Sequence, residues 1–197
     1  MRILIVGATG TIGRAVVEAL SASNEIVPVS RSKSKITVDI AQPESIKAMY
    51  RAVGPVDAVV SAAGEAKFAP FDQLGDSDFA FSIGSKLMGQ VNLVRYGLTS
   101  VRDGGSFTLT SGVLSQHPMK GSGAISLVNA GVEGFARAAA LEAPRGIRVN
   151  VVSPPWVTET LIAYGMDPSI GLPAATVARA YVRSVTGSES AAVISPS

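Results

Sequence analysis

Residues 3–13, which read ILIVGATGTIG, decide the fold of this chain. The first four are apolar and mostly β-branched, which is typical of a strand buried on both faces of a parallel sheet. Glycines follow at positions 7, 10 and 13, and residues 12–20 have the apolar spacing of a helix. Such a turn brings backbone amides and the positive end of a helix dipole against a pyrophosphate. The stretch predicts a dinucleotide site, and a glycine turn needed only for packing is the alternative. The residues expected at the phosphates are Gly7, Thr9, Gly10, Thr11, Ile12 and Gly13.

Short apolar segments alternate with amphipathic ones along the rest of the chain. After the strand at 3–6, further strands are predicted at 25–29, 35–38, 57–60, 106–110, 147–152 and 191–194. Helices are predicted at 12–20, from Pro43 onward, and at 72–83, 86–101, 122–143 and 174–185. This alternation predicts an α/β fold: a single Rossmann-type, doubly wound domain over residues 1–197, with a mostly parallel seven-stranded sheet and helices on both faces. Glycines and prolines in residues 158–173 predict a mobile surface loop over the cleft.

The composition excludes several classes of protein. With 47% apolar residues, the chain lacks the polarity of a disordered protein. Its net charge of +2 is too small for the basic surface of a nucleic-acid-binding protein. It has no cysteine and a single histidine, His117, which excludes disulfides, cysteine-ligated metals and histidine-rich metal sites. No segment approaches the roughly 20 apolar residues of a membrane span, so we expect no membrane partner and a cytoplasmic location.

The end of the second predicted strand indicates which dinucleotide binds. An acidic residue there would accept a hydrogen bond from an adenine-ribose 2′-hydroxyl, but residues 29–32 read VSRS. Arg31, helped by Ser32, offers forked donors to a 2′-phosphate. The segment therefore favours NADP(H) over NAD(H), and the alternative is that Arg31 is a solvated loop charge.

Five later segments match a known family in order and over nearly the whole chain. They are Asp39-Ile40, Ser61 to Gly64 (SAAG), Thr110-Ser111-Gly112, 129–142 (NAGVEGFARAAALE) and 145–155 (RGIRVNVVSPP). With the glycine turn, they resemble the short-chain dehydrogenase/reductase family. The resemblance implies hydride transfer between a nicotinamide dinucleotide and a small carbonyl or alcohol. It also implies further cofactor contacts at Asp39, Ile40, Ala62, Ala63, Gly64, Asn129, Pro154 and Val157.

The resemblance also shows where this chain departs from the family. The family's catalytic tyrosine position falls on Ile125, and the lysine four residues later falls on Asn129. The helix asparagine of its catalytic tetrad falls on Lys86, so only Ser111 remains of the four. The chain is therefore similar to an active-site-depleted branch of the family.

Two functions remain open on this sequence. In the first, Ser111 orients a carbonyl and Lys86 or His117 replaces the missing acid, although each of the three could be merely structural. In the second, the chain is a non-catalytic NADP(H)-binding sensor or scaffold. Small residues in 86–101 and 122–143 further predict a homodimer or homotetramer through these helices, or else close packing within one subunit.

Overall fold

The computed structural model describes residues 1–197 and contains one seven-stranded sheet. The strands are β1 (Arg2–Val6), β2 (Glu25–Ser30), β3 (Ile36–Thr37), β4 (Val56–Ser61), β5 (Val101–Thr110), β6 (Arg148–Val152) and β7 (Val193–Ile194). They lie in the order β3-β2-β1-β4-β5-β6-β7, and every neighbouring pair is parallel. The Rossmann-type prediction is confirmed, and the sheet is wholly rather than mostly parallel. The strand order reverses between β1 and β4, where ligands bind in such sheets.

Helices cover both faces of this sheet. They are α1 (Thr11–Ser21), α2 (Pro43–Val53), α3 (Asp76–Ser82), α4 (Gly89–Gly97), α5 (Gly123–Glu142), α6 (Thr158–Ala163) and α7 (Ala174–Thr186). One hydrophobic core lies between the sheet and α2, α4 and α5, and a second lies under α1 and α7. None of the helices has the length and apolar character that crossing a membrane requires.

The predicted break between two helices near residue 85 is wrong. A single π-helical turn at Ile83–Met88 joins α3 to α4, so the chain stays helical from Asp76 to Gly97. The hydroxyl of Ser82 accepts a hydrogen bond from the backbone amide of Lys67, and that of Ser85 accepts one from the amide of Glu65. These bonds fix the wide turn against the segment after β4. Turns of this type occur mostly at functional sites, and this one carries Lys86.

Two other boundaries differ from the predictions. β5 begins at Val101 rather than near residue 106, because Val101 pairs with Val56 before an irregularity shifts the register. The segment 158–173 is also more regular than a loop. It contains α6 and a 3-10 turn at Pro168–Ile170, and the Glu159 carboxylate accepts the amide of Ala174. An element of six residues is too short to show a helical period in the sequence.

Replacing Gly13 by alanine is expected to destabilise the fold by about 1–3 kcal/mol. A Cβ at this position would overlap the backbone carbonyl of Gly7, which cannot move without distorting the turn. The matched control is Gly84→Ala, because this helical glycine has open space around it and is expected to gain up to about 1 kcal/mol. Urea unfolding of both variants measures the difference, and equal midpoints would contradict close packing at Gly13.

Candidate active site

The turn after β1 lies at the point where the strand order reverses. Gly7 has a φ of +85°, and a Cβ there would lie 2.5 Å from the backbone oxygen of Ala62. α1 begins immediately after Gly10 without a side-chain cap, and the amides of Thr11, Ile12 and Gly13 donate to no protein acceptor. Unpaired amides at a helix N-terminus form an anion site, so this turn fits the pyrophosphate of a dinucleotide.

A groove with two lobes runs across this edge of the sheet, and both lobes are bordered by Ala62, Ala63 and Gly64. The first lobe, of about 260 Å³, is also lined by the predicted residues Gly7, Thr9, Gly10, Arg31, Asp39 and Ile40. The second lobe, of about 240 Å³, is also lined by the predicted residues Ile12, Lys86, Ser111, Asn129, Pro154 and Val157. Two adjoining lobes fit the two halves of a dinucleotide.

Four predicted residues do not line either lobe. Thr11 has a free amide at the start of α1, while Gly13 is a packing position whose amide is also free. Ser32 is exposed outside the first lobe, so its hydroxyl is not placed beside Arg31 as a ready partner. His117 is exposed and follows a 3-10 turn at Val113–Ser115, whose first residue lines the second lobe.

Arg31 lies at the edge of the first lobe between two carboxylates. Its guanidinium nitrogens are 3.4 Å from Asp39 Oδ1 and 3.8 Å from Glu65 Oε1. All three side chains are exposed, and exposed ion pairs contribute little to stability. The guanidinium is therefore available to a ligand anion, although the two carboxylates reduce the local positive potential.

Ser111, at the end of β5, is held by a buried carboxylate that the sequence analysis did not identify. Glu133 of α5 is 3% exposed, and its Oε1 accepts hydrogen bonds from Ser111 Oγ (2.8 Å), Ser115 Oγ (2.7 Å) and Ser153 Oγ (3.4 Å). Of the three serines, only Ser111 lines the cleft. The family-like run VEG at 132–134 contains Glu133, but the three serines are about 20 residues away from it in sequence and form no pattern that links them to it.

Lys86 is the only charged side chain among the residues lining the second lobe. The residue is half-buried, and its Nζ donates to the backbone oxygen of Ser111 at 3.2 Å. No carboxylate forms an ion pair with it. Burial therefore lowers the pKa of Lys86 to about 8, so the ammonium can release a proton near neutral pH.

The positions of the family tyrosine and lysine both face the second lobe. Ile125 and Asn129 lie one turn apart on α5 and both line it. Asn129 Nδ2 donates to Gly112 O at 3.3 Å, while its buried Oδ1 has no hydrogen-bond partner. That unpaired acceptor fits a ribose hydroxyl, which is a donor.

No tyrosine from elsewhere replaces Ile125. None of the four tyrosines lines the second lobe. Tyr181 is hydrogen-bonded next to Ser111 in sequence, because its hydroxyl is 2.6 Å from Thr110 Oγ1. It is fully buried in the core under α7, and burial raises its pKa, so it cannot act as an acid in the cleft.

Replacing Lys86 by methionine is expected to stabilise the protein at pH 7 by about 1–3 kcal/mol, because a desolvated charge is removed and the volume is kept. Lys86 has a pKa of about 8 in the folded state and 10.5 in the unfolded state. Between these two pH values the unfolded chain therefore holds a proton on Lys86 that the folded chain has released. The free energy of unfolding of the wild type therefore rises as the pH rises through this range. The extra stability of Lys86→Met shrinks accordingly. Urea unfolding at pH 7 and pH 10 tests this, and an advantage independent of pH would contradict a desolvated ammonium.

Known proteins share the fold of this chain. A family model described as enoyl-(acyl carrier protein) reductase matches residues 7–195. The solved structure of the protein lin1944 from Listeria innocua is 43% identical, with a TM-score of 0.95, and the match covers 99% of this chain and 98% of that one. A small-chain dehydrogenase in complex with NADPH has the same fold at 22% identity, with a TM-score of 0.87 and coverage of 99% and 95%.

Curated relatives are more distant. An uncharacterized oxidoreductase of Schizosaccharomyces pombe is 29% identical over 169 residues, which are 77% of this chain and 65% of that protein. The L-xylulose reductase of Bos taurus is 29% identical over 171 residues, which are 78% and 70% of the two chains. Because the family model spans nearly the whole chain and the fold and glycine turn agree with it, the chain belongs to the short-chain dehydrogenase/reductase family.

Proposed function

We propose that this protein is an NADP(H)-dependent oxidoreductase that interconverts a small carbonyl compound and its alcohol with a non-standard acid, Lys86. The proposal rests on the position of the Lys86 ammonium. It lies in the second lobe beside Ser111, and it is the only titratable side chain there.

The residues along the groove fit the dinucleotide. The free amides of Thr11, Ile12 and Gly13 would hold the pyrophosphate. Arg31 would hold a 2′-phosphate in the first lobe, and Asn129 Oδ1 would accept a hydrogen bond from the nicotinamide ribose. Bound in its reduced form, this cofactor supplies the hydride for carbonyl reduction.

The chain's own residues would handle the proton. Lys86 Nζ–H would donate to the carbonyl oxygen and transfer its proton as that oxygen becomes an alkoxide, so the new O–H bond forms and the amine is left neutral. The amine would then regain a proton from water. Ser111 donates its hydroxyl proton to Glu133, so its oxygen would orient the substrate only in the alcohol form, by accepting a hydrogen bond from the alcohol hydroxyl. A positioned acid of this kind contributes about 10²–10⁴-fold to the rate.

The test has two arms that separate binding from chemistry. Thermal unfolding with NADPH and with NADH measures cofactor binding, since a ligand at a hundredfold excess over its Kd stabilises the folded state by about 2.7 kcal/mol. Loss of NADPH absorbance with a panel of aldehydes and ketones measures turnover. Binding together with turnover is the expected result. Absence of both would contradict the proposal.

Replacing Arg31 by alanine is expected to weaken NADPH binding about tenfold and to leave NADH binding within about twofold of wild type, because only NADPH has a 2′-phosphate for the guanidinium. Lys35→Ala is the matched control, since Lys35 is an exposed cation of the same loop that lines neither lobe. Calorimetric titration of each variant with both cofactors gives the affinities. Equal losses for NADPH and NADH would contradict recognition of the 2′-phosphate by Arg31.

A non-catalytic NADP(H) sensor or scaffold is the second candidate. The observation that favours it is the pair Ile125 and Asn129, which remove the usual acid and the cation beside it. NADPH binding without oxidation by any carbonyl in the panel would select this candidate.

We also propose that the chain assembles as a homodimer or homotetramer through the helices within 86–101 and 122–143. Leu127 and Leu141 of α5 are exposed at 48% and 87%, which supports an apolar contact there. Light scattering coupled to size-exclusion chromatography measures the mass, and a monomer at all concentrations would contradict this assembly.

A further inference from the structure

Lys86 is a cation without a counter-charge in an otherwise uncharged lobe. Asp and Glu side chains are absent from the lining, and the nearby Glu133 forms no ion pair with it. Oε1 of Glu133 instead accepts hydrogen bonds from three serine hydroxyls. Removing a charge from water costs free energy unless an opposite charge pairs with it. The Lys86 ammonium is therefore suited to an anionic ligand.

The donors of Lys86 define how many ligand atoms it can hold. An ammonium has three N–H donors, and one of them is used on the backbone oxygen of Ser111. Two donors are left for two neighbouring oxygens of a ligand. A 2-oxo carboxylate carries such a pair, since its carbonyl oxygen and one carboxylate oxygen lie side by side.

The rest of the lobe defines the body of the ligand. Val113, Leu114, Ile125 and Trp156 give it an apolar wall, and its volume is about 240 Å³. This space fits a short hydrocarbon chain. A single carboxylate matches the single positive charge, whereas a doubly charged phosphate would leave one negative charge unpaired against apolar side chains.

We infer that the second lobe binds a small 2-oxo carboxylate, with one carboxylate oxygen and the adjacent carbonyl oxygen both hydrogen-bonded to Lys86. This inference rests on the proposed function for the hydride step and names the substrate class of that site. On reduction, the C2 carbonyl gains the hydride at carbon and the Lys86 proton at oxygen, giving the 2-hydroxy carboxylate. The carboxylate keeps its place on the remaining N–H of the amine.

Binding tests the inference independently of turnover. 2-Oxopentanoate, pentan-2-one and inorganic phosphate are titrated calorimetrically into wild-type protein, with and without saturating NADP⁺. Lys86→Met removes the charge at similar volume, and Lys86→Arg keeps it. Lys120→Met is the matched control, because Lys120 is exposed and lines neither lobe.

The expected result is that 2-oxopentanoate binds wild type and Lys120→Met at least tenfold more tightly than pentan-2-one. Its affinity falls at least tenfold in Lys86→Met and is partly kept in Lys86→Arg. Equal affinities of wild type and Lys86→Met for 2-oxopentanoate, absence of binding, or tighter binding of phosphate would overturn the inference. Carboxylate binding without NADPH oxidation would contradict the proposed hydride transfer alone, and oxidation with neutral ketones only would contradict the carboxylate site alone.

Discussion

Lys86→Asn is expected to lower kcat for carbonyl reduction by about 10²–10⁴-fold while leaving NADPH affinity within a few-fold of wild type. The ammonium is the only acid in the second lobe, and asparagine cannot transfer a proton to an alkoxide. The Lys86 side chain forms no hydrogen bond with Arg31 or with the residues at the start of α1, so the cofactor should still bind. Initial rates of NADPH oxidation and a calorimetric titration measure the two effects.

Two controls make this result specific. His117→Ala is expected to keep wild-type turnover, because His117 is exposed and lines neither lobe. Lys120→Met should do the same, because it removes an exposed cation only. Unchanged turnover in Lys86→Asn would remove Lys86 from the proton step, and a loss in His117→Ala would assign that step to the histidine.

Adding Ile125→Tyr and Asn129→Lys to Lys86→Asn is expected to restore turnover by about 10²–10⁴-fold over Lys86→Asn alone. The triple variant contains the four residue types of the family's catalytic tetrad, with Ser111 already present. Positions 125 and 129 lie one turn apart on α5, and both line the second lobe. A lysine cation one turn from the tyrosine lowers the tyrosine pKa from its usual value of about 10, so the phenol can act near neutral pH.

The double variant Ile125→Tyr with Asn129→Lys in the wild-type background shows whether Lys86 interferes with the restored pair. Rates are measured with the same carbonyl panel, and thermal unfolding confirms that each variant is folded. A triple variant that is folded, binds NADPH and stays inactive would show that this cleft does not place a carbonyl for the family's chemistry.

The sequence predicted the fold because its strongest signals are local. The strand–glycine–helix stretch at 3–13 and the alternation of apolar segments are sufficient for a parallel sheet with a switch point between β1 and β4. The first errors arose where tertiary contacts decide the local structure. The sequence predicted a break between two helices at residues 84–85. The π turn there is instead fixed by serine hydroxyls that accept hydrogen bonds from backbone amides of the segment after β4.

The site could be predicted only where it follows the glycine turn and the family-like segments. Ser111 was identified in one of those segments and Lys86 at the position of the family's helix asparagine, and the structure brings them into contact. Glu133 was missed because its serine partners, at positions 111, 115 and 153, lie about 20 residues away on either side of it in the sequence. His117 was included because it follows Ser111 by six residues and its residue type titrates near neutral pH, but nearness in sequence does not place it in the lining of either lobe.

The central claim is that the Lys86 ammonium gives the proton in place of a tyrosine, and the pH dependence of wild-type kcat/KM for carbonyl reduction tests it most directly. Burial places the pKa of Lys86 at about 8, and only the protonated form is an acid. The rate constant should therefore be level below this pH and fall about tenfold per pH unit above it. A rate constant that stays level or rises through pH 8 to 10 would contradict the claim.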